Sequence, residues 1–294
     1  MSRPAASGRD DPGERGLAAR VWREAVTLVR TVLAHDLPKL AASLTYFTVL
    51  SLFPALLVVV ALLGLVGLSP DALRSLLDAL GDLGAHWAAE FISGALDSVL
   101  QSHSSGLVLG LGAALSLWTA SAYVGAFMWA ADGVYQVETR RPYWRGLPLR
   151  VALALLLLVL LTTAATVVAL VGPFGAWVAQ HTGVGSGGLD LWTWIKWPIL
   201  IALGLLMFAA LYWFAPSRRQ PSLWRLLAGA AVGVGLWIAA SAAFSVYLAH
   251  FASYNRVYGT LGAAVAFLVW VWVLNLALLV GVEVSRDLEQ RGRR

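Results

Sequence analysis

Six stretches of this chain are long, apolar and almost free of charge: Leu40 to Leu68, Gly106 to Ala131, Val151 to Val171, Trp194 to Ala215, Leu226 to Ala249 and Val257 to Val282. Each exceeds or matches the ~20 residues that cross a hydrocarbon core as a helix. Every stretch is read as a helix, because lipid cannot satisfy an open backbone and barrel strands would alternate polar with apolar residues. The third is extended past Gly172 and Pro173 by a further apolar turn to Val178.

Two other segments carry a different pattern. Between Leu17 and Leu37, the residues Val21, Ala25, Leu28 and Val32 recur at helical spacing while Arg20, Arg23, Glu24 and Arg30 hold much of the opposite side. This predicts an amphipathic helix that lies in the headgroup region. From Ser69 to Ser105, Leu73, Leu76, Leu77, Leu80, Leu83, Trp87, Phe91, Leu96 and Val99 mark one or two further amphipathic helices, opened by Ser69-Pro70-Asp71. Residues 1–15 are polar and have little to bury. The expected fold is therefore all-α: a membrane domain of six transmembrane helices over residues 40–284, an arm over residues 1–39, an external helical segment over 69–105 and a basic tail over 285–294.

Composition agrees with the bilayer as solvent. Of 294 residues, 59% are hydrophobic and 13% charged, about half the charge of an ordinary soluble domain. The net charge of +5 needs no nucleic acid to explain it, since Lys and Arg gather in cytoplasmic loops for topological reasons. Eighteen of the 21 lie before the first stretch, in the loops after the second and fourth, or in the tail, leaving Arg74, Lys196 and Arg256 for the other side. That asymmetry predicts a multi-pass protein of a bacterial cytoplasmic membrane with both termini inside. Trp87, Trp177, Trp192, Trp194, Trp197, Trp213 and Trp224 fall where stretches meet the interface and form an aromatic belt. Gly106 with Gly110, Ser121 with Gly125, and Gly229 with Gly233 have the small-xxx-small spacing of closely packed helices.

Candidate chemistry is confined to polar groups inside the apolar stretches, which are costly there and need a reason. The absence of cysteine removes thiolate chemistry. The five histidines lack metal-ligand spacing, and no HExxH, P-loop or GxSxG pattern occurs. No catalytic, cofactor or metal-binding residue is expected. In the first stretch, Pro54 removes a bond to the Leu50 carbonyl and predicts a kink, with Ser51 able to bond a freed group. In the second, Ser116, Thr119 and Tyr123 share a face, and the segment runs on to Asp132, Tyr135 and Glu138. Before and within the sixth, a short external turn carrying Tyr254, Asn255, Arg256, Tyr258 and Gly259 leads to Trp270, Asn275 and Glu283. Arg256 is suited to an anionic headgroup or carboxylate, Asn275 to an interhelical hydrogen bond, and Glu283 to pairing with a cytoplasmic Arg or to proton transfer.

The segments AASLTYFTVLSLFPALLVVVALLGL, LSLWTASAYVGAFMWAADGVYQVETRRPYWR and SYNRVYGTLGAAVAFLVWVWVLNLALLVGVEV resemble the YihY/virulence factor BrkB family of bacterial inner-membrane proteins. The resemblance spans residues 40 to 284 and implies six spans. It carries over Tyr46, Ser51 and Pro54 from the first motif, Trp118 from the second, and Tyr254, Asn255, Tyr258, Gly259, Trp270, Gly281 and Glu283 from the third. The sequence departs from the pattern at Ser285, where Asn or a similar polar residue is expected. Members have carried the label ribonuclease BN, and some are linked to lipid or lipid-precursor export. The implied function is a transporter or flippase acting on membrane lipids or a small anionic or lipid substrate, through a cavity between the kinked first span and the last two. A non-transporting envelope scaffold is the rival, and a membrane-bound ribonuclease comes third.

Overall fold

The computed structural model describes residues 27, 30–65, 105–137, 142–169, 186–217, 222–251 and 255–292. Within them lie six long helices, which we label α1 (Leu37–Leu65), α2 (Ser105–Val134), α3 (Tyr143–Ala169), α4 (Ser186–Phe214), α5 (Leu223–Phe251) and α6 (Asn255–Arg291). Each contains most or all of one apolar stretch, and no strand occurs among the described residues. The external segment over 69–105, all but its last residue, and residues 17–26, 28 and 29 of the expected amphipathic helix lie outside the described residues.

The helix ends differ from the expected ones in instructive ways. The amphipathic helix was expected to run to Leu37, but its last described helical turn ends at Ala34. Asp36 then takes a left-handed conformation, with φ of 53°, and its carbonyl accepts from the amides of Lys39 at 2.9 Å and Leu40 at 3.1 Å to start α1. Asp is among the residues that tolerate this region. Helix α2 ends in a Schellman closure: Gln136 is left-handed, with φ of 52°, its amide donates to Gly133 at 3.1 Å, and the Val137 amide donates to Asp132 at 3.0 Å. Helix α6 shows the largest difference. It starts at Asn255 and reaches Arg291, so residues 255–259 are helical where a turn was expected, and residues 285–291 of the tail continue the same helix.

Consecutive helices pack side by side, and α6 closes the ring against α1, with further contacts of α1 to α3 and α2 to α6. Short connections make α2 and α3, α4 and α5, and α5 and α6 antiparallel neighbours. The start of α1, the ends of α2, α4 and α6 and the starts of α3 and α5 therefore share one end of the bundle, the arginine-rich one. There Leu37, Leu44, Val124, Phe127, Val134, Tyr212, Leu226, Leu279 and Val282 are fully buried. Val32 of the arm packs against the same core. Facing outward instead are Leu155, Val159, Ile201, Leu206, Leu236, Val246 and Val269. Among the described residues, Gly146–Val168, Lys196–Phe214, Leu223–Tyr247 and Val265–Arg291 are long and apolar enough to cross a membrane. In water so much exposed apolar surface would drive association; in lipid it costs nothing.

Candidate functional site

Three helices are joined midway along their length by one side chain. The Tyr123 hydroxyl of α2 donates to Asn275 Oδ1 at 3.1 Å. Asn275 Nδ2 lies within donating distance of Thr48 Oγ1 at 3.1 Å and the Val271 carbonyl at 3.0 Å, with Thr45 Oγ1 more distant at 3.5 Å. Both threonine hydroxyls already donate one turn back along α1, Thr45 to Ala41 and Thr48 to Leu44 at 2.8 Å each. Their lone pairs are thus turned to Asn275. Such ties average about 0.6 kcal/mol in membrane proteins, reaching about 1.7. Asn275→Leu is expected to lower stability by about 1–2 kcal/mol and Tyr123→Phe by roughly 0.6. In a double-mutant cycle on thermal unfolding in detergent, Tyr123→Phe should have no further effect once Asn275 is gone; full additivity would refute the tie.

At the arginine-rich end, the expected pairing of Glu283 with an arginine is present. Glu283 Oε1 accepts from Arg286 Nη1 at 2.8 Å, and Oε2 lies 3.1 Å from His35 Nδ1. Arg286 Nη1 also lies 3.2 Å from His35 Nδ1 and 3.3 Å from Nε2. Nearly equidistant from both ring nitrogens, it rests against the imidazole, so the three side chains close a ring of contacts. Gln290 presents its amide oxygen to the remaining guanidinium nitrogens in the orientation that satisfies both groups. The cluster fastens the last turn of the arm to α6, and the Trp272 indole, donating to the Pro38 carbonyl at 3.0 Å, fixes the next turn of chain.

Two more contacts bind this end together. Buried Asp132 accepts from the Ser217 amide and hydroxyl, both at 2.7 Å, and so joins the end of α2 to the end of α4. Tyr212 donates to the Leu278 carbonyl at 2.6 Å, beside Gly233 and Gly281. Where Asn was expected, Ser285 is fully buried, bonds the Gly281 carbonyl at 3.1 Å and presses on Gly229. A longer amide would collide with α5 there.

A lateral cleft of about 370 Å³ opens between α1, α2 and α3. Its lining combines Phe47, Trp118, Trp129 and Leu147 with the hydroxyls of Ser43 and Ser121 and the guanidinium of Arg150. Trp118 and Trp129 are 66% and 50% exposed, so the cleft opens to the surroundings of the bundle and not into its core.

The remaining expected site residues are dispersed. Tyr46 faces outward, edge-on to Phe47 at 5.3 Å. Ser51 donates to the Thr48 carbonyl at 3.0 Å, not to the Leu50 carbonyl near Pro54. Helix α1 continues through position 54, whose side chain lies outside the described residues. Tyr254 also lies outside them; Asn255, Arg256, Tyr258 and Gly259 are described only as backbone of α6. Trp270 stacks on Phe244 at 5.6 Å between α5 and α6. Among the described side chains of the expected set, Trp118 alone lines the cleft, while Asn275 and Glu283 form the buried ties. Sequence reasoning missed Arg150, counted only as a loop cation, as well as His35, Thr45, Thr48, Tyr212 and Ser217. Glycines were the available signal for two of them, since Gly125 faces Arg150 and Gly281 faces Tyr212. Among the described residues no three His, Asp or Glu side chains gather as metal ligands.

Long helices with apolar outer faces, held inside by a few buried polar contacts, define an α-helical membrane protein. Residues 28–294 match the family described as Virulence factor BrkB, and the chain belongs to that family. It is 28% identical over 262 residues to YfkH of Bacillus subtilis, a protein named ribonuclease-like, covering 87% of this chain and 92% of that one. It is 25% identical over 291 residues to the UPF0761 membrane protein PBPRA3489 of Photobacterium profundum, covering 90% and 81%. A Psychrobacter UPF0761 membrane protein is 26% identical over 269 residues, but the match takes in only 47% of its length, so this chain spans about half of that relative. No solved structure matches the chain.

Proposed function

We propose that this protein moves an amphipathic, anionic substrate, a lipid or lipid-like molecule, across a bacterial cytoplasmic membrane. All six helices span, and the arginine-rich end with both termini faces the cytoplasm. The observation that carries this reading is the lateral cleft: a lining that is part aromatic, part hydroxyl and part guanidinium fits a molecule with a charged head and an apolar tail. It lies between α1, α2 and α3, away from the expected site between the first and last two spans, where Asn275 and Glu283 occupy the interior with their partners. The well-filled core at the arginine-rich end favours the rival reading of a non-transporting envelope scaffold. A ribonuclease has for support only the name of the Bacillus relative.

Reconstitution in liposomes separates the first two. Labelled anionic lipid is expected to exchange between leaflets faster than in protein-free vesicles, with or without dependence on an ion gradient. Exchange at the protein-free rate under both conditions would reject transport and leave the scaffold.

A further inference from the structure

Arg150 is placed unusually for a loop arginine. It sits on the eighth residue of α3, roughly 10 Å along the helix from its start. The start itself carries Trp144, 81% exposed, and α5 begins beside the equally outward Trp224; such residues sit at headgroup level. The Cα of Arg150 thus lies more than one turn past Trp144, while the guanidinium reaches back toward the headgroup level beside Gly146, where an added Cβ would stand 3.7 Å from Nε. The side chain is admitted by Gly125 of α2, where a Cβ would stand 3.1 Å from Cζ and Nη1 of Arg150. The Ser121–Gly125 pair, whose spacing suits close helix contact, here seats a charged side chain in the cleft floor.

We propose that the cleft binds a phospholipid with an anionic headgroup, taken from the leaflet at the arginine-rich end. Arg150 holds the phosphate and the acyl chains lie along Trp118 and Phe47, with Trp129, one turn past Gly125 toward the arginine-rich end, beside the headgroup. Charge complementarity selects this occupant. A guanidinium fork matches phosphate oxygens bidentately, where an ammonium would offer a point charge. The hydroxyls of Ser43 and Ser121 add polar groups for the glycerol region, and the exposed Trp118 indole supplies a flat apolar wall in the direction the tails must run. Taking the bound lipid as cargo rests on the transport reading; its binding in the cleft does not.

The test uses the full chain in nanodiscs containing phosphatidylglycerol or phosphatidylcholine with a photoactivatable group in the acyl chain, and maps crosslinked peptides by mass spectrometry. Phosphatidylglycerol is expected to label the cleft-lining parts of α1 to α3 several-fold more than phosphatidylcholine. Arg150→Gln should lower that labelling about tenfold, the loss of a charge-assisted hydrogen bond, and Arg150→Lys should fall between. Ala122→Trp, which fills the cleft and keeps the arginine, should lower it as well and covers the case in which Arg150→Gln does not fold. Equal labelling by the two lipids, labelling unchanged in both Arg150→Gln and Ala122→Trp, or its loss to excess inorganic phosphate would each overturn the proposal, the last by making the ligand a soluble anion. Arginine-dependent labelling without leaflet exchange would reject transport and keep the site. Exchange without arginine-dependent labelling would reject the site and keep transport.

Discussion

Gly281→Ala is expected to cost the protein about 3 kcal/mol, the upper range for forcing a methyl group into a packed interior. A Cβ at this position would stand 2.7 Å from the Gly229 carbonyl and 3.0 Å from Gly233 Cα, and closer still to the Tyr212 hydroxyl. Two of these three are backbone atoms of α5, which cannot turn aside. The third could move only by giving up its bond to the Leu278 carbonyl. Gly229 faces the same constraint from the other helix, since its own Cβ would meet the Gly281 carbonyl at 2.5 Å. The two helices therefore touch backbone to backbone, and no side chain can be inserted on either. Gly235, on the same α5, has nothing within 4 Å of an added Cβ. There the same substitution should be neutral or gain up to about 1 kcal/mol from helix propensity. Unfolding curves of both variants in detergent check the contrast. Equal shifts for the two would show that α5 and α6 are not in close contact.

Glu283→Ala is expected to destabilise by roughly 3–5 kcal/mol, the usual cost of leaving the remaining partner of a buried ion pair without its counter-charge. Glu283 is 2% exposed and Arg286 is 9% exposed, so water reaches neither side chain to compensate. Replacing both, as Glu283→Leu with Arg286→Met, should recover most of the loss, because the desolvation of each charge disappears along with their attraction. His35 gives the prediction a second arm. Its ring contacts both charged groups, so Glu283→Ala should also loosen the arm, read as faster proteolysis before Leu37. Purely additive effects of the two single substitutions, with proteolysis unchanged, would show that the three residues do not act as a unit.

The described parts of the six apolar stretches each form a helix, because length and hydrophobicity act locally and lipid permits little else. Their ends were less legible. Asp36 and Gln136 take left-handed conformations without being glycine, so neither carries the usual stop signal. Asn255 opens α6 within what sequence alone renders as a turn of polar residues. Among the candidate residues, Asn275 and Glu283 stood out because polarity inside a span is costly, and both proved to be buried and partnered. Of their partners, Tyr123 already shared a polar face with Ser116 and Thr119, but the others did not stand out. Thr45 and Thr48 are ordinary in a membrane helix, where a hydroxyl can bond its own preceding turn. Nothing near His35 in the chain points to a carboxylate 248 residues away.

By itself the sequence determined that this is a helical membrane protein with several apolar helices, and which family it belongs to, since these follow from composition, periodicity and contiguous motifs. Only the tertiary structure decided that Arg150 belongs to a cleft and not to a loop, that Gly281 admits no side chain, and that Glu283, His35 and Arg286 meet. Each of these depends on which face of one helix is turned toward another. In a bundle whose surface and interior are both apolar, hydrophobic patterning scarcely distinguishes those faces, and the choice is left to packing and to a handful of hydrogen bonds between distant residues.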